Sequence, residues 1–331
     1  MLDLPQEIVV LGGTLPSLPI FLSLGFTVGL LSGLLGIGGG WLITPSLNAF
    51  GLPITSAVAT GLTQMAGTSL LALLRHKKHG NLELKLGVVI GLSMILSVGL
   101  GKFLLVELEK TGHAGLLTRS LYIFLLSFIS LKMFKDLIFP KDEKERKSPF
   151  FLFFDIFRRG PKIYISHTKS EVHLLLPIFL GVVAGFLSGI MGVGGGFLLV
   201  PAMASLLGLP TLNAVATSLV CVFFSGASGS FFYSLSGKVN WSIALILVIG
   251  SFFGSLIGVS STQYIKEKAL RFLFAFLTIC AAFSALFKQI DLPEASKAII
   301  LLPALMILLY SLIVVVMGKF FKKEDKPHDL R

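Results

Sequence analysis

The stretch SGLLGIGGGWLITP, residues 32–45, and its counterpart SGIMGVGGGFLLVP, residues 188–201, decide the fold of this chain. Each stretch places four glycines within five positions of an otherwise apolar run. Glycine destabilises the interior of a helix and adopts positive φ angles without steric cost. Both stretches therefore predict that an apolar helix breaks at the glycines and that a second, short helix begins directly after them.

The composition places these breaks inside a membrane protein. Hydrophobic residues make up 54% of the chain, charged residues make up 14%, and the mean hydropathy is +0.89. A soluble domain carries about 25% charged residues. The apolar runs are long enough to cross a bilayer, which takes about 20 helical residues. The sequence therefore predicts an all-α, polytopic protein embedded in the lipid bilayer.

The glycine stretches belong to a longer internal repeat. GLPITSAVATGL, which starts at Gly51, matches GLPTLNAVATSL, which starts at Gly208, in the same order along the chain. Hydropathy predicts four helices in each half, a short apolar piece after each glycine stretch and one extra helix near the C-terminus. The helices lie near 18–35, 54–74, 84–105, 116–138, 174–191, 211–235, 241–259, 270–287 and 298–317, and the short pieces at 41–50 and 197–207.

Basic residues in short loops predict how the repeats lie in the membrane, because such loops stay in the cytoplasm. RHKKHG, residues 75–80, is strongly basic, whereas VELEKTGHAG, residues 106–115, carries one lysine. With the first loop cytoplasmic and the second external, each glycine stretch enters the membrane and turns back. Each half then has a broken re-entrant or discontinuous hairpin and three crossings. This arrangement predicts an inverted-topology repeat with a cytoplasmic C-terminus.

The predicted organisation has four parts. Residues 18–138 form the first transmembrane repeat, and residues 174–290 form the second. Between them, residues 139–173 form a basic and aromatic cytoplasmic linker. Its stretch SPFFLFFDIFRRGPKIYI, residues 148–165, is expected to lie along the cytoplasmic membrane surface, and simple linkage and a gating role both remain open for it. Residues 291–331 hold the extra C-terminal helix and a basic cytoplasmic tail.

The glycine breaks predict a binding site for an anion. Non-helical backbone at membrane depth persists only where protein or a water-filled cavity covers it. The short helices after the glycines direct free N–H groups and positive dipole ends towards the breaks, where they favour an anion. A purely structural role in close helix packing is the alternative. The predicted backbone site, near the midplane, consists of Gly36, Gly38, Gly39, Gly40, Gly192, Gly194, Gly195 and Gly196.

Polar side chains in the following helices supply further candidate donors. Thr60 and Thr217 occupy matching places in the AVAT sequences, and Gln64 aligns with Cys221. Hydroxyl and amide groups donate hydrogen bonds to an oxyanion without the cost of a buried charge. The alternative is that they bond to their own helix or join neighbouring helices. The predicted side-chain donors are Thr60, Gln64, Thr217 and Ser218.

Several other functions are disfavoured by what the sequence lacks. No Asp, Glu, Lys, Arg or His lies near the middle of a predicted crossing, which argues against a proton relay of buried carboxylates. Only two cysteines are present, and neither an HExxH motif nor a buried Ser–His pair is found, so no metal, cofactor or catalytic residue is expected. The net charge of +11 concentrates in connectors, where it signals topology, and no nucleic-acid partner is expected.

The paired glycine motifs, each followed by GLP and AVAT, resemble those of the TauE/SafE family of sulfite exporters. The resemblance extends from about Phe21 to Met317. It implies a permease of a prokaryotic cytoplasmic (inner) membrane. It also implies that the substrate is a small sulfur-containing anion such as sulfite, sulfoacetate or another sulfonate.

These observations together predict a secondary transporter that exports such an anion by alternating access around the glycine site. Two alternatives remain, a passive anion channel and a membrane scaffold or assembly factor that transports nothing. Coupling to Na⁺ or H⁺, the direction of transport and the oligomeric state are left open by the sequence.

Overall fold

Ten α-helices and one β-hairpin form within the residues that the computed structural model describes, namely 18–36, 38–78, 82–138, 161–165, 170–261, 267–292, 294–296, 298–299, 302–303 and 306. Apolar runs bounded by glycine, proline or charged loops give the helices. Their bounds are α1 Leu18–Leu35, α2 Gly40–Ala49, α3 Ile54–Lys78, α4 Leu84–Lys110, α5 Ala114–Ile138, α6 Leu175–Met191, α7 Gly196–Leu206, α8 Thr211–Ser234, α9 Trp241–Ser261 and α10 Glu267–Gln289.

The helices predicted from residue 18 to residue 287 are confirmed. The largest difference is at the end of α4, predicted near Leu105 and observed at Lys110. Five of the helices are long and apolar enough to cross a membrane, namely Ile54–Arg75, Leu84–Lys110, Ala114–Ile138, Thr211–Ser234 and Trp241–Ser260. The chain is therefore a multi-pass helical membrane protein. Most of the predicted C-terminal helix, near 298–317, lies outside the described residues.

A β-hairpin corrects the all-α prediction for the linker. Strands β1, Lys162–Ile165, and β2, Ser170–His173, pair antiparallel, with Ile163 opposite Val172. Ile165 and Val172 are buried among apolar side chains of α6 and α7. The sequence KIYI alternates apolar side chains between two faces, which suits a strand with one buried face. Residues 139–160, which include most of the stretch predicted to lie on the membrane surface, fall outside the described residues.

Helices of one half pack mainly on helices of the other half. The repeat pairs α1 with α6 and α4 with α9, and the packing follows it, since α1 lies along α9 and α6 lies along α4. Glycines permit this close approach. Gly29 packs against the backbone of Ser251, and the equivalent Gly185 packs against the backbone of Met94. Small residues that let helix backbones touch are a common way to join helices in lipid.

Contacts along the helices also give their relative directions. In the α3–α8 pair, Leu62 contacts Gly229 whereas Ala66, one turn later, contacts Gly226. These equivalent helices therefore run in opposite directions. In the α3–α9 pair, Thr60 bonds to Asn240 and Gly67 packs on Val248, so that α3 and α9 run in the same direction.

Candidate functional site

Both glycine stretches break the helix, as predicted. α1 ends at Leu35, and the backbone N–H of Gly36 donates to the Ser32 carbonyl oxygen at 2.8 Å. The equivalent bond from Gly192 to Ser188 is 2.7 Å and terminates α6 in the same way. The short helices α2 and α7 then begin four residues later, at Gly40 and Gly196.

Glycine is required at these breaks because the backbone adopts positive φ angles there. The angles lie between +69° and +81°, in the left-handed region that disfavours other residues. A side chain would also overlap neighbouring atoms at each of these positions. The six residues concerned are Gly36, Gly38, Gly39, Gly192, Gly194 and Gly195.

The two breaks lie in direct contact in the protein interior. Gly40 packs against the carbonyl oxygen of Gly192. Gly38 and Gly194 both contact the same two side chains, Met65 of α3 and Val222 of α8. Met65 and Val222 occupy equivalent positions of the repeat. The structure thus brings the predicted backbone positions together around one centre.

The short helices α2 and α7 begin without a side-chain cap. Gly39 and Gly195 are their N-cap residues, and neither helix has a side-chain hydrogen bond at its cap. Among the described residues, no acceptor is found for the backbone N–H groups of Gly40 and Gly196. Both residues are buried. Two positive helix ends without a side-chain cap therefore begin at the glycine breaks, and that of α2 lies directly against the second break.

At the C-terminus of α6, the negative end of that helix, two tyrosine hydroxyls bind the last carbonyl groups. Tyr233 donates its hydroxyl to the Gly189 carbonyl oxygen at 2.6 Å, and Tyr122 donates to that of Met191 at 2.9 Å. These carbonyls belong to the last turn of α6 and have no partner within an ideal helix. The two tyrosines thus occupy the acceptors at the negative end of α6, while the positive ends of α2 and α7 stay uncapped.

Two buried donors at the first break were not among the predicted site residues. Ser32 is fully buried, and its hydroxyl oxygen has no partner in the described part of the chain. The same holds for the indole nitrogen of Trp41. In the second half, the hydroxyl oxygen of the equivalent Ser188 accepts a hydrogen bond from the backbone N–H of Gly194 at 3.0 Å. The repeated SG dipeptide was the available signal for Ser32, and the position directly after the glycines was the signal for Trp41.

The predicted donors Thr60 and Thr217 anchor loops of the other half. The hydroxyl oxygen of Thr60 accepts the backbone N–H of Asn240 at 3.1 Å, and that of Thr217 accepts the backbone N–H of Glu83 at 3.2 Å. Glu83 and Asn240 directly precede α4 and α9. Both threonines are fully buried. The matching AVAT sequences therefore make one symmetric pair of contacts between the halves.

Ser218 holds the carbonyl of the first break. Its hydroxyl lies 2.6 Å from the Gly36 carbonyl oxygen and 2.8 Å from that of Val215 in its own helix, so that one hydrogen serves both carbonyls. The position equivalent to Ser218 is Gly61, which has no side chain to offer. The carbonyl oxygen of Gly192 is instead approached at 3.3 Å by the hydroxyl of Thr44, which packs over Gly61. Each break carbonyl thus has one hydroxyl donor, supplied by a different helix in the two halves.

Gln64 links three helices through its amide. Its Nε2 donates to the hydroxyl of Thr68 at 2.5 Å and to that of Ser251 at 2.6 Å. Ser251 in turn donates to the Gly25 carbonyl oxygen, and Thr68 to that of Gln64 itself. Because both hydroxyl hydrogens are used on carbonyls, the amide must supply its own hydrogens to them. Both N–H groups of the Gln64 amide are therefore used in hydrogen bonds within the protein.

Comparisons with known proteins show the family of the chain. The family model described as sulfite exporter TauE/SafE matches residues 21–285. The chain is 30% identical to "Probable membrane transporter protein YunE" of Bacillus subtilis over 77% of its own length and 92% of that protein. It is 29% identical to a protein of the same description from Methanocaldococcus jannaschii, over 77% of this chain and 90% of that one. No solved structure matches the chain significantly.

Proposed function

Because the chain belongs to the sulfite exporter TauE/SafE family, we propose that it is a secondary transporter that exports a small sulfur oxyanion or organosulfonate, such as sulfite or sulfoacetate. Its relatives in bacteria and an archaeon are named as membrane transporters. We place it in a prokaryotic cytoplasmic membrane with its C-terminus in the cytoplasm. The proposal concerns the substrate, the direction and the mechanism.

One observation carries the proposal, the contact inside the protein between two glycine breaks, each of which starts a helix without a side-chain cap. Each positive helix end stabilises an anion by about 0.3 to 2 kcal/mol, and each hydrogen bond to a charged group adds about 1.5 to 3 kcal/mol. The donors are the N–H groups at the starts of α2 and α7, together with Ser32 and Trp41. The three oxygens of a sulfite or sulfonate group accept several such bonds at once. The proposed backbone site remains that of the eight glycines.

The side chains around the breaks hold this backbone in place. In the proposal Ser218 fixes the Gly36 carbonyl, Gln64 joins α3 to α9, and Thr60 and Thr217 anchor the loops before α9 and α4. No lysine, arginine or histidine lies within the breaks themselves. Binding by dipoles and hydroxyls alone suits a carrier, since a site with a buried counter-charge would release its anion slowly.

Direct contact between the breaks favours a carrier over an open channel. Gly40 packs on the Gly192 carbonyl, so that the two breaks touch at this point. In the proposal an anion gains access when the α1–α2 hairpin and the α6–α7 hairpin move relative to each other. Alternating movement of two equivalent hairpins is the mechanism of transporters built from inverted repeats.

We propose that the two halves have inverted topology, and the opposite directions of α3 and α8 support it. Cysteines introduced at Lys77 and Lys238 in a background with Cys221 and Cys280 replaced by alanine test this directly. Labelling in intact cells with a membrane-impermeant maleimide is expected to modify Lys238→Cys and to leave Lys77→Cys unmodified until the cells are opened. Modification of both positions from the same side would contradict the inverted arrangement.

Flux measurements on the purified protein in proteoliposomes test the proposed function. We expect saturable uptake of sulfite or sulfoacetate, with faster exchange when the same anion is present on the opposite side. A channel would show no such exchange, and a scaffold would show neither flux nor a shift in thermal stability with any sulfur anion. Liposomes without protein and uptake of phosphate are the controls. Imposed Na⁺ or pH gradients identify the coupling ion.

A further inference from the structure

The helices around the breaks form two equivalent units, each of which takes helices from both halves of the chain. In the first unit, α1 lies along α9, and α3 is bonded to α9. The amide nitrogen of Gln64 on α3 donates to the Ser251 hydroxyl on α9, which donates in turn to the Gly25 carbonyl oxygen of α1. We call α1, α3 and α9 unit A.

The second unit consists of the repeat equivalents of these helices, namely α6, α8 and α4. The hydroxyl oxygens of Ser188 on α6 and Ser225 on α8 lie 2.6 Å apart, and Gly91 of α4 packs against the ring of Phe224 on α8. We call α6, α8 and α4 unit B. The two units meet where α3 packs against α8, and both glycine breaks contact side chains of these two helices.

At the end of the bundle where α3 begins, one carboxylate joins the two units. Glu109, in the last turn of α4 in unit B, accepts a hydrogen bond from the hydroxyl of Thr55, in the first turn of α3 in unit A. The other carboxylate oxygen of Glu109 lies 2.7 Å from the ammonium nitrogen of Lys238, in the segment that connects α8 to α9. We call Thr55, Glu109 and Lys238 the carboxylate latch.

The carboxylate latch is partly buried and is attached to both units. Thr55 is fully buried, and the side chains of Glu109 and Lys238 are 29% and 32% exposed. The backbone N–H of Lys238 donates to the Tyr233 carbonyl oxygen in the last turn of α8 at 3.2 Å. Two residues later, the backbone N–H of Asn240 donates to a threonine hydroxyl of α3 at 3.1 Å. The segment that carries Lys238 is thus bonded to unit B on one side and to unit A on the other.

The repeat has no equivalent of the carboxylate latch at the opposite end of the bundle. In the register set by the AVAT sequences, the positions equivalent to the three latch residues hold Leu212, Lys266 and Asn81. None of these side chains is a carboxylate, so they cannot form such an ion pair with one another. In a transporter built from an inverted repeat, exchanging the arrangements of the two units converts the state open at one end into the state open at the other. The latch therefore lowers the free energy of only one of these states, the state closed at its own end.

We propose that the carboxylate latch makes the conformation closed at this end of the bundle the resting state of the transporter. This inference rests on the alternating movement in the proposed function. In the proposed topology the latch lies on the external side, so that the resting protein is open towards the cytoplasm. This state suits an exporter, because the site then collects its anion from inside the cell. Opening to the outside requires the Glu109 carboxylate to leave Thr55 and Lys238.

The substitution Glu109→Gln tests the carboxylate latch, because it removes the charge and keeps the size of the side chain. Lys238→Gln removes the same ion pair from the other side and is expected to act in the same direction. The matched control is Glu107→Gln, since Glu107 lies two residues earlier on α4, is exposed and pairs with Lys110 on its own helix. We expect this control to behave like the unsubstituted protein in the measurement that follows.

The rate at which single cysteines react with a maleimide in the purified full-length protein reports which end is open. Ser230→Cys lies on α8 near the latch, where the Ser230 hydroxyl oxygen is 3.0 Å from that of Thr63 on α3. Leu73→Cys is the equivalent position near the other end, where Leu73 packs in a cluster with Leu219 of α8. In the cysteine-free background described above, we expect Glu109→Gln to raise the rate at Ser230→Cys about two- to fivefold and not to raise the rate at Leu73→Cys.

Flux in proteoliposomes, measured beside the labelling rates, separates this inference from the proposed function. If the wild type transports and Glu109→Gln leaves both labelling rates unchanged, the latch assignment is wrong and the function stands. If Glu109→Gln raises both rates, the carboxylate only holds the fold together, and the latch assignment is again wrong. If the rates change as expected but no sulfur anion is transported, the latch stands and the proposed substrate fails. If neither a rate change nor flux occurs, both are overturned.

Discussion

Replacing Gly195 by alanine is expected to lower anion flux at least about 100-fold while the protein still accumulates in the membrane. The φ angle of Gly195 is +76°, and an added Cβ would lie 2.7 Å from Met94 Cε and 3.2 Å from Ala184 Cβ. The left-handed conformation costs a non-glycine residue about 1 to 2 kcal/mol. Met94 can move its terminal methyl, so the fold tolerates the change, but the start of α7 must shift. A 100-fold loss corresponds to about 2.7 kcal/mol in the transport barrier.

The matched control for this prediction is Gly208→Ala. Gly208 also has a positive φ angle, +68°, but no atom lies within 4 Å of an added Cβ. This variant carries the backbone strain without a contact and lies in the loop before α8. We expect it to retain most of the flux. If Gly195→Ala keeps the flux of the wild type, or if both variants lose flux equally, the glycine breaks have no specific role in transport.

Replacing Ser218 by glycine is expected to lower the midpoint of thermal unfolding by about 5 to 10 °C. The Gly36 carbonyl then loses its 2.6 Å hydrogen bond in a fully buried place. An unsatisfied buried polar group costs about 1 to 3 kcal/mol, and glycine within a helix adds about 1 kcal/mol. Each kcal/mol shifts the midpoint by about 2 to 4 °C in a protein of this size class. Tryptophan fluorescence follows the transition, since Trp41 is buried beside the break.

The repeat itself supplies a rescue for this variant. On Gly192 the hydroxyl comes from Thr44, and Gly61 leaves the space that it needs. The residue equivalent to Thr44 is Val200, and Ser218 is equivalent to Gly61. The double variant Ser218→Gly/Val200→Thr therefore recreates the arrangement of the second break on the first one. We expect it to recover about half of the lost stability.

The single variant Val200→Thr completes this comparison. With Ser218 present, its hydroxyl has no vacant carbonyl to bind, and we expect it to be mildly destabilising. The interaction between the two positions is then obtained from the four unfolding midpoints. If the loss of stability in the double variant equals the sum of the losses in the two single variants, the hydroxyl introduced by Val200→Thr does not replace that of Ser218 on the Gly36 carbonyl.

The helices and breaks could be predicted closely because their causes are local. Apolar length set α1 and the crossings, and the glycines of residues 36–40 and 192–196 set the breaks. The hairpin at 162–173 was missed because its four-residue strands carry little pattern, and it forms where Ile165 and Val172 find a buried surface on α6 and α7.

The candidate site divides in the same way. The sequence predicts that the glycines and the donors Thr60, Gln64, Thr217 and Ser218 bind an anion, and this stays a prediction. Ser32 and Trp41, whose buried polar atoms have no partner among the described residues, were not among the predicted donors. Whether a buried amide still has a hydrogen to donate depends on partners such as Ser251, which lies 187 residues further along the chain. Hydroxyls have equal chemistry in Ser32 and Ser188, yet only the second has a partner among the described residues. Such differences in hydrogen-bond partners depend on how the helices pack, and they cannot be predicted from the residue types alone.

By itself, the sequence determined that this protein is a duplicated bundle of membrane helices, each half broken once by glycines, because helix hydrogen bonds span four residues and positive φ angles belong to single residues. Only the tertiary structure decided that the two breaks touch, and that Ser218 bonds to Gly36 across 182 residues of chain. Such bonds depend on the register between helices, which glycine-mediated backbone contacts set. That register is a property of the whole assembled bundle.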